Sequence, residues 1–144
     1  MRIYVVDASV AVRFLLVEDL SEKADWLLQK FHDDALELKA PGLVNYEVGN
    51  ALWKAVKQKV IDAHEASRKF SQFIKLKLDC VELDESESLE ALTWAMKNNV
   101  TYYDSVYVKA SEKTGAILLT ADDAFYERTS KQIQTIHLRD LKDR

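Results

Sequence analysis

The amino-acid sequence predicts an α/β fold, a three-layer α/β/α sandwich with a central parallel sheet. Short apolar runs alternate with segments of helical period along the whole chain, and parallel neighbours need such crossover connections. The run Ala116 to Leu119 has no polar position, as a parallel strand covered on both faces requires. Three Gly and one Pro in 144 residues leave no room for long linkers, and 48% apolar residues suffice for one core. Residues 1–144 therefore read as a single domain.

Ile3 to Val6 is the first strand, and Ser9 is positioned to cap a helix over Val10 to Leu16. Ser21 is the expected cap of a second helix, in which Ala24, Leu27, Leu28 and Phe31 share one face. Leu36, Leu38 and Ala40 alternate with charged residues as a strand. Pro41 and Gly42 break it and open a helix through Val44, Val48, Leu52, Ala55 and Val56 to about Gln58. A further helix carries Ala63, Ala66, Phe70, Phe73 and Ile74. Leu78 to Leu83 reads as strand, and Asp84 with Glu87 forms a capping box for the helix of Leu89, Leu92 and Met96. The helix of Asp104, Val106, Tyr107 and Ala110 ends at Gly115, the expected left-handed residue. Strand Ala116 to Thr120, a short helix opened by Asp122 and a last strand from Ile133 to Leu138 complete the chain.

Composition excludes several classes of function. One cysteine, Cys80, allows neither an internal disulfide nor a cysteine-based zinc site, and suits a reducing cytoplasm. The first apolar run is too short for a membrane span or a signal peptide. The glycines Gly42, Gly49 and Gly115 make no phosphate loop or dinucleotide fingerprint, and Ser9, Ser105 and Ser111 lack the glycines of a nucleophile elbow. His32, His64 and His137 show no ligand spacing and read as surface or edge residues. Net charge is −4, yet Lys54 to Lys77 holds seven bases against two acids, while Glu82 to Glu90 holds five acids and no base. Both runs suit solvated helical segments, and the basic one also suits a phosphate-binding face.

In open parallel sheets ligands bind beyond the carboxyl ends of the strands, where strand order reverses. Asp7 follows the first strand, Asp122 follows the Ala116 to Thr120 strand, and Asp104 starts the helix leading into it. Glu47 lies on a mostly apolar helix face, one turn from Leu43 and Ala51. Taken singly, each acid has an ordinary explanation: helix caps for the three aspartates, a snorkelling side chain for Glu47. Taken together they form a set of carboxylates whose mutual repulsion calls for protons or a cation. An all-oxygen set selects a hard ion, Mg²⁺ or Mn²⁺, which activates water against a phosphodiester. Ser9 and Thr120 either donate hydrogen bonds to these carboxylates or cap turns.

These residues resemble the motifs of the PIN domain family, in particular the short VapC-type toxins of toxin–antitoxin pairs. The resemblance runs from Val5-Val6-Asp7-Ala8-Ser9, through Pro41 to Leu52 around Glu47 and Thr101-Tyr-Tyr-Asp104-Ser105-Val-Tyr107, to Leu118-Leu119-Thr120-Ala121-Asp122. It implies that Asp7, Glu47, Asp104 and Asp122 are the catalytic, metal-holding acids, with Ser9, Thr120 and Asp123 in support. Asp123 is a second acid where the family usually has one; Asp122 is favoured because it directly follows Thr-Ala. Ser105 stands where many relatives have alanine. The implied activity is metal-dependent endonucleolytic cleavage of RNA by water, in a homodimer inhibited by a small antitoxin that reaches the acidic groove. Arg13, Lys54 and Lys57 are candidates for holding RNA phosphates.

A housekeeping RNA-processing nuclease, or a catalytically silent RNA- or protein-binding module on the same fold, are the alternatives. Retention of four mutually repelling acids speaks against silence. A flavodoxin-like or response-regulator-like sheet would also place Asp7 at a strand end, but leaves Glu47 and the Asp104–Asp122 pair unexplained.

Overall fold

Among the described residues, five short strands form the central sheet. In the computed structural model, which describes residues 1–142, these are β1 (Arg2–Val6), β2 (Leu36–Ala40), β3 (Asp79–Cys80), β4 (Ile117–Thr120) and β5 (Thr135–His137). The last two residues of the single-domain reading lie outside the described region. All pairings are parallel, in the order β3-β2-β1-β4-β5. This differs from the 2-1-3-4-5 order of flavodoxin-like sheets, and it puts the reversal of strand order between β1 and β4.

Among the described residues, seven α-helices connect and cover the strands: α1 (Ala8–Val12), α2 (Ser21–His32), α3 (Leu43–Lys57), α4 (Ala63–Lys75), α5 (Glu85–Asn98), α6 (Tyr102–Thr114) and α7 (Asp123–Thr129). Alternation along the strands sorts them into two layers. Tyr4, Val6 and Leu119 face a core shared with Val10, Leu27, Val48 and Phe73 of α1 to α4. Val5 and Leu118 face Tyr107, Val108, Ala110 and Phe125 of α6 and α7, with Trp94 of α5 packed against that cluster. Burying a valine or leucine at such a position contributes roughly 1.5–3 kcal/mol.

Local chemistry sets most element boundaries. Asp84 and Glu87 form the expected reciprocal capping box of α5. Gly115 ends α6 at φ 69°, in the left-handed region that a Cβ would strain. Several expectations are corrected. The cap of α1 is Asp7, not Ser9, and regular helix stops at Val12. Leu20, itself left-handed at φ 63°, precedes α2 without a side-chain cap, while Ser21 Oγ accepts from Glu18 N–H and donates to the Leu16 carbonyl. Thr101 caps α6, which puts Asp104 at its third residue. The strand expected over Leu78 to Leu83 is regular only at Asp79–Cys80, because it lies at the sheet edge with one neighbour and soon turns into the Asp84 cap. In α5 the inward face is Ala91 and Ala95; Leu89, Leu92 and Met96 are exposed.

Candidate active site

Asp7 is the first residue beyond β1, and its N–H still donates to the Leu119 carbonyl at 3.3 Å, so the sheet holds its backbone. Asp7 is 4% exposed. Oδ1 accepts from Val10 N–H at 3.2 Å and from Ser9 Oγ at 2.6 Å; Oδ2 accepts from Thr120 Oγ1 at 2.6 Å. Both hydroxyls are themselves acceptors from the turn after β4: Ala121 N–H donates to Ser9 Oγ at 2.8 Å and Asp122 N–H to Thr120 Oγ1 at 3.0 Å. With those acceptor positions filled from the turn, the hydroxyl protons are directed into Asp7. Backbone amides of one strand end thus clamp the carboxylate of the neighbouring one.

Burial pushes the Asp7 carboxyl up to about 6; the bonds from Ser9, Thr120 and Val10 pull it back, and the charge of Asp122 adds to the rise. Asp122 is the N-cap of α7, its Oδ1 accepting from Phe125 N–H at 2.8 Å. Asp123 is committed elsewhere. Its Oδ1 meets His137 Nε2 at 2.8 Å and Arg139 Nη1 at 3.0 Å. Arg139 N–H donates to His137 Nδ1 at 3.1 Å, so Nε2 carries the proton and donates to Asp123. His137, read from sequence as a surface or edge residue, does lie on the edge strand β5, but it is 2% exposed. The charge of Asp122 is felt at Asp7, whereas Asp123 turns to His137 and Arg139.

Glu47, on α3, accepts a hydrogen bond from the Tyr107 hydroxyl at 2.6 Å. Tyr107 is 2% exposed, and burial, the bond to Glu47 and the charges of Glu47 and Asp7 drive its ionisation far above the ordinary tyrosine range. The phenol therefore stays a donor, and it ties Glu47 to the surroundings of Asp7. Asp104 lies one turn before Tyr107 on α6. Its Oδ2 accepts both Arg128 Nε at 3.0 Å and Arg128 Nη2 at 2.8 Å, and the Arg128 guanidinium lies 6.0 Å from the Phe125 ring. The charge of Asp122 thus bears on Asp7, Glu47 is held by Tyr107, which feels the charge of Asp7, and Asp104 is turned to an arginine. In this arrangement no group of three His, Cys, Asp or Glu side chains among the described residues is set to hold a metal ion.

Two residues of this set escape a reading of the sequence alone. Tyr107 counts there as an apolar helix position, although its three-residue spacing from Asp104 was a usable signal. Arg128 carries no local signal at all. The basic candidates divide. Arg13 engages its guanidinium within the chain, on the exposed Asp19 carboxylate at 2.7 Å and the carbonyls of Ser9 and Asp19 at 2.7 and 2.8 Å. Lys57 Nζ lies 5.8 Å from the centroid of the Trp53 ring. Lys54 lines an open groove with Glu47.

The family model for the PIN domain matches residues 4–131. The chain belongs to the PIN domain family. "Ribonuclease VapC3" of Pyrobaculum aerophilum is 34% identical over 125 residues, 86% of this chain and 92% of that protein. "Exonuclease VapC9" of the same organism is 34% identical over 92 residues, covering 63% of this chain and 66% of that one. "Ribonuclease VapC1" of Mycobacterium tuberculosis is 35% identical over 83 residues, or 58% of this chain and 61% of that one. Among solved structures, PAE2754 from Pyrobaculum aerophilum superposes on this PIN domain with a TM-score of 0.71 at 25% identity, covering 96% of this chain and 90% of that one. No helix among the described residues is long and apolar enough to cross a membrane.

Proposed function

We propose that this PIN domain is a divalent-metal-dependent ribonuclease that hydrolyses RNA phosphodiester bonds, as the VapC-type toxin of a toxin–antitoxin pair. One observation carries the reading. A buried carboxylate sits at the strand-order reversal with its proton affinity raised by burial and by a second aspartate, in a chain whose relatives are named as ribonucleases. A site that makes a carboxylate uncomfortable when ionised is one that a cation relieves.

The donor set fits a hard ion. Asp7, Asp122, Glu47 and Asp104 offer oxygen only, and Glu47 Oε2 and Asp104 Oδ1 make no hydrogen bond among the described residues. Asp104 would exchange Arg128 for the ion. Mg²⁺ or Mn²⁺ bound there supplies an activated water and offsets charge on the phosphate. The chain's own part is to hold that arrangement. Ser9 and Thr120 fix both oxygens of Asp7, Tyr107 fixes Glu47, and Asp123 with His137 and Arg139 secures the first turn of α7, which orients Asp122. Lys54 is the basic side chain best positioned for a substrate phosphate. An antitoxin as protein partner and a homodimeric assembly belong to the same reading.

The test is cleavage of a fluorescent RNA with Mn²⁺, Mg²⁺ or EDTA, comparing wild type with Asp7→Asn and Asp104→Asn. Cutting is expected only with metal and only in the wild type, with circular dichroism showing all three folded. Activity in EDTA, or in the Asn variants, would remove the metal mechanism. The relative named as an exonuclease supports a second mode of attack, and a circular RNA separates the two, since only an endonuclease opens it.

A further inference from the structure

The amino ends of β1 and β2 carry a second pocket, on the opposite edge of the sheet from Asp7. Arg2 and Leu36 open these strands, stand side by side in the parallel register, and both line the pocket. Arg2 precedes Asp7 by five residues, so roughly 16 Å of extended chain separates the two edges. Trp26 and Lys30, one turn apart on α2, form one wall, and the buried Tyr4 closes the floor. The volume is about 450 Å³. Among the described residues no acid lines it, in a chain of net charge −4.

Three donors converge here without an acceptor. No ion pair among the described residues involves Arg2 or Lys30. Tyr4 is 1% exposed; its hydroxyl accepts from Arg2 Nη1 at 3.5 Å, and its own proton meets no acceptor among the described residues. A buried phenol with an unspent proton, beside two cations, calls for an oxyanion. Lys30 stands in the last turn of α2, whose carbonyl end disfavours an anion by up to about 1 kcal/mol. The second cation, reaching in from the strand, offsets that cost. Two cations also suit the double charge of a phosphate monoester better than the single charge of a carboxylate. Lys30 Nζ lies 5.8 Å from the centroid of the Trp26 ring, so a flat group stacked on the indole has its phosphate within reach of the ammonium. We propose that this pocket binds a nucleoside monophosphate: Trp26 stacks on the base, and Arg2, Lys30 and Tyr4 donate to the phosphate. The site is separate from the acids and stands whether or not they cut RNA. Its ligand is a free nucleotide or the phosphorylated end of a nucleic-acid chain, which share this chemistry.

The full chain is titrated in EDTA with adenosine monophosphate (AMP), adenosine and inorganic phosphate, affinity being read by calorimetry and location by heteronuclear NMR. AMP should move the indole resonance of Trp26, assigned through Trp26→Phe, and leave those of Trp53 and Trp94 in place. Adenosine and inorganic phosphate should each bind at least about tenfold more weakly than AMP. Arg2→Gln and Lys30→Gln should each weaken AMP binding about tenfold. Trp26→Leu keeps an apolar side chain without a ring and should reduce AMP to the affinity of phosphate, while Trp26→Phe retains most of the binding. An oligonucleotide with a terminal phosphate that displaces AMP, where its unphosphorylated counterpart does not, makes the chain end the source. Failure of both to displace it leaves the free nucleotide. Displacement by both overturns the inference, since a phosphodiester then suffices. So does the absence of heat and of shifts at millimolar AMP, phosphate binding as tightly as AMP, or a response confined to the surroundings of Asp7.

Discussion

Replacing Asp7 by asparagine should make the metal-free protein more stable at neutral pH, although the residue lies at the centre of the site. The carboxyl is raised from 3.8 to about 6, chiefly by burial, so the folded chain holds this proton more tightly than the unfolded chain does. Below 3.8 both states are protonated and the contribution to stability is complete. Between 3.8 and 6 only the folded state keeps the proton, so stability falls as pH rises, and above 6 the loss is complete. A shift of about two units at about 1.4 kcal/mol per unit gives a loss of about 3 kcal/mol. Asparagine carries no charge to desolvate. Its oxygen can keep the bonds from Ser9 Oγ and Val10 N–H, while its amide meets Thr120 Oγ1, which must then accept instead of donate. That rearrangement costs about 1 kcal/mol, leaving a net gain of about 2 kcal/mol near pH 7.5. The assay is urea denaturation of wild type and Asp7→Asn in EDTA from pH 4.5 to 8. The difference between the two proteins isolates Asp7 from every other titrating group, and it should widen with pH. Added Mn²⁺ should then stabilise the wild type and leave the variant unchanged. An asparagine variant no more stable than wild type at pH 7.5, or a difference flat with pH, would refute the account of a strained carboxylate.

Two further outcomes follow from the same contacts. Arg128→Gln frees the Asp104 carboxylate from a guanidinium that competes with any cation, so Mn²⁺ affinity measured by calorimetry should rise severalfold; a fall would mean that Arg128 serves to orient Asp104 instead. Tyr107→Phe removes the donor to Glu47 from a buried position and should lower stability by about 1–2 kcal/mol in urea denaturation while weakening Mn²⁺ binding, and a variant as stable as wild type would show that water replaces the phenol without loss.

Much of the fold was legible because its signals are local. Apolar periodicity marked the helices, the unbroken run before Thr120 marked the central strand β4, and Asp84 with Glu87 marked the start of α5, all within one or two turns of chain. Misplaced features have local causes too. Ser9 looked like a cap because serine commonly is one, but Asp7 sits where β1 ends and reaches Val10 N–H first. Leu89, Leu92 and Met96 have the spacing of a buried face, yet α5 turns Ala91 and Ala95 inward, where small side chains allow close packing. At the site, Ser9 and Thr120 were legible as possible donors to a carboxylate, and both donate to Asp7.

Taken alone, the sequence determined the alternation of strand and helix, the position of each acid relative to a strand end or helix start, and the oxygen-only chemistry open to them. Only the tertiary structure decided which groups meet. It joined Thr120 to Asp7 across 113 residues, Tyr107 to Glu47 across 60 and Arg128 to Asp104 across 24. It also parted Asp122 from Asp123, giving the second to His137 and Arg139. The reason is geometric. Capping and amphipathic faces depend on residues within a turn of one another, whereas a side-chain bond between elements depends on strand order and helix packing, which no local period records.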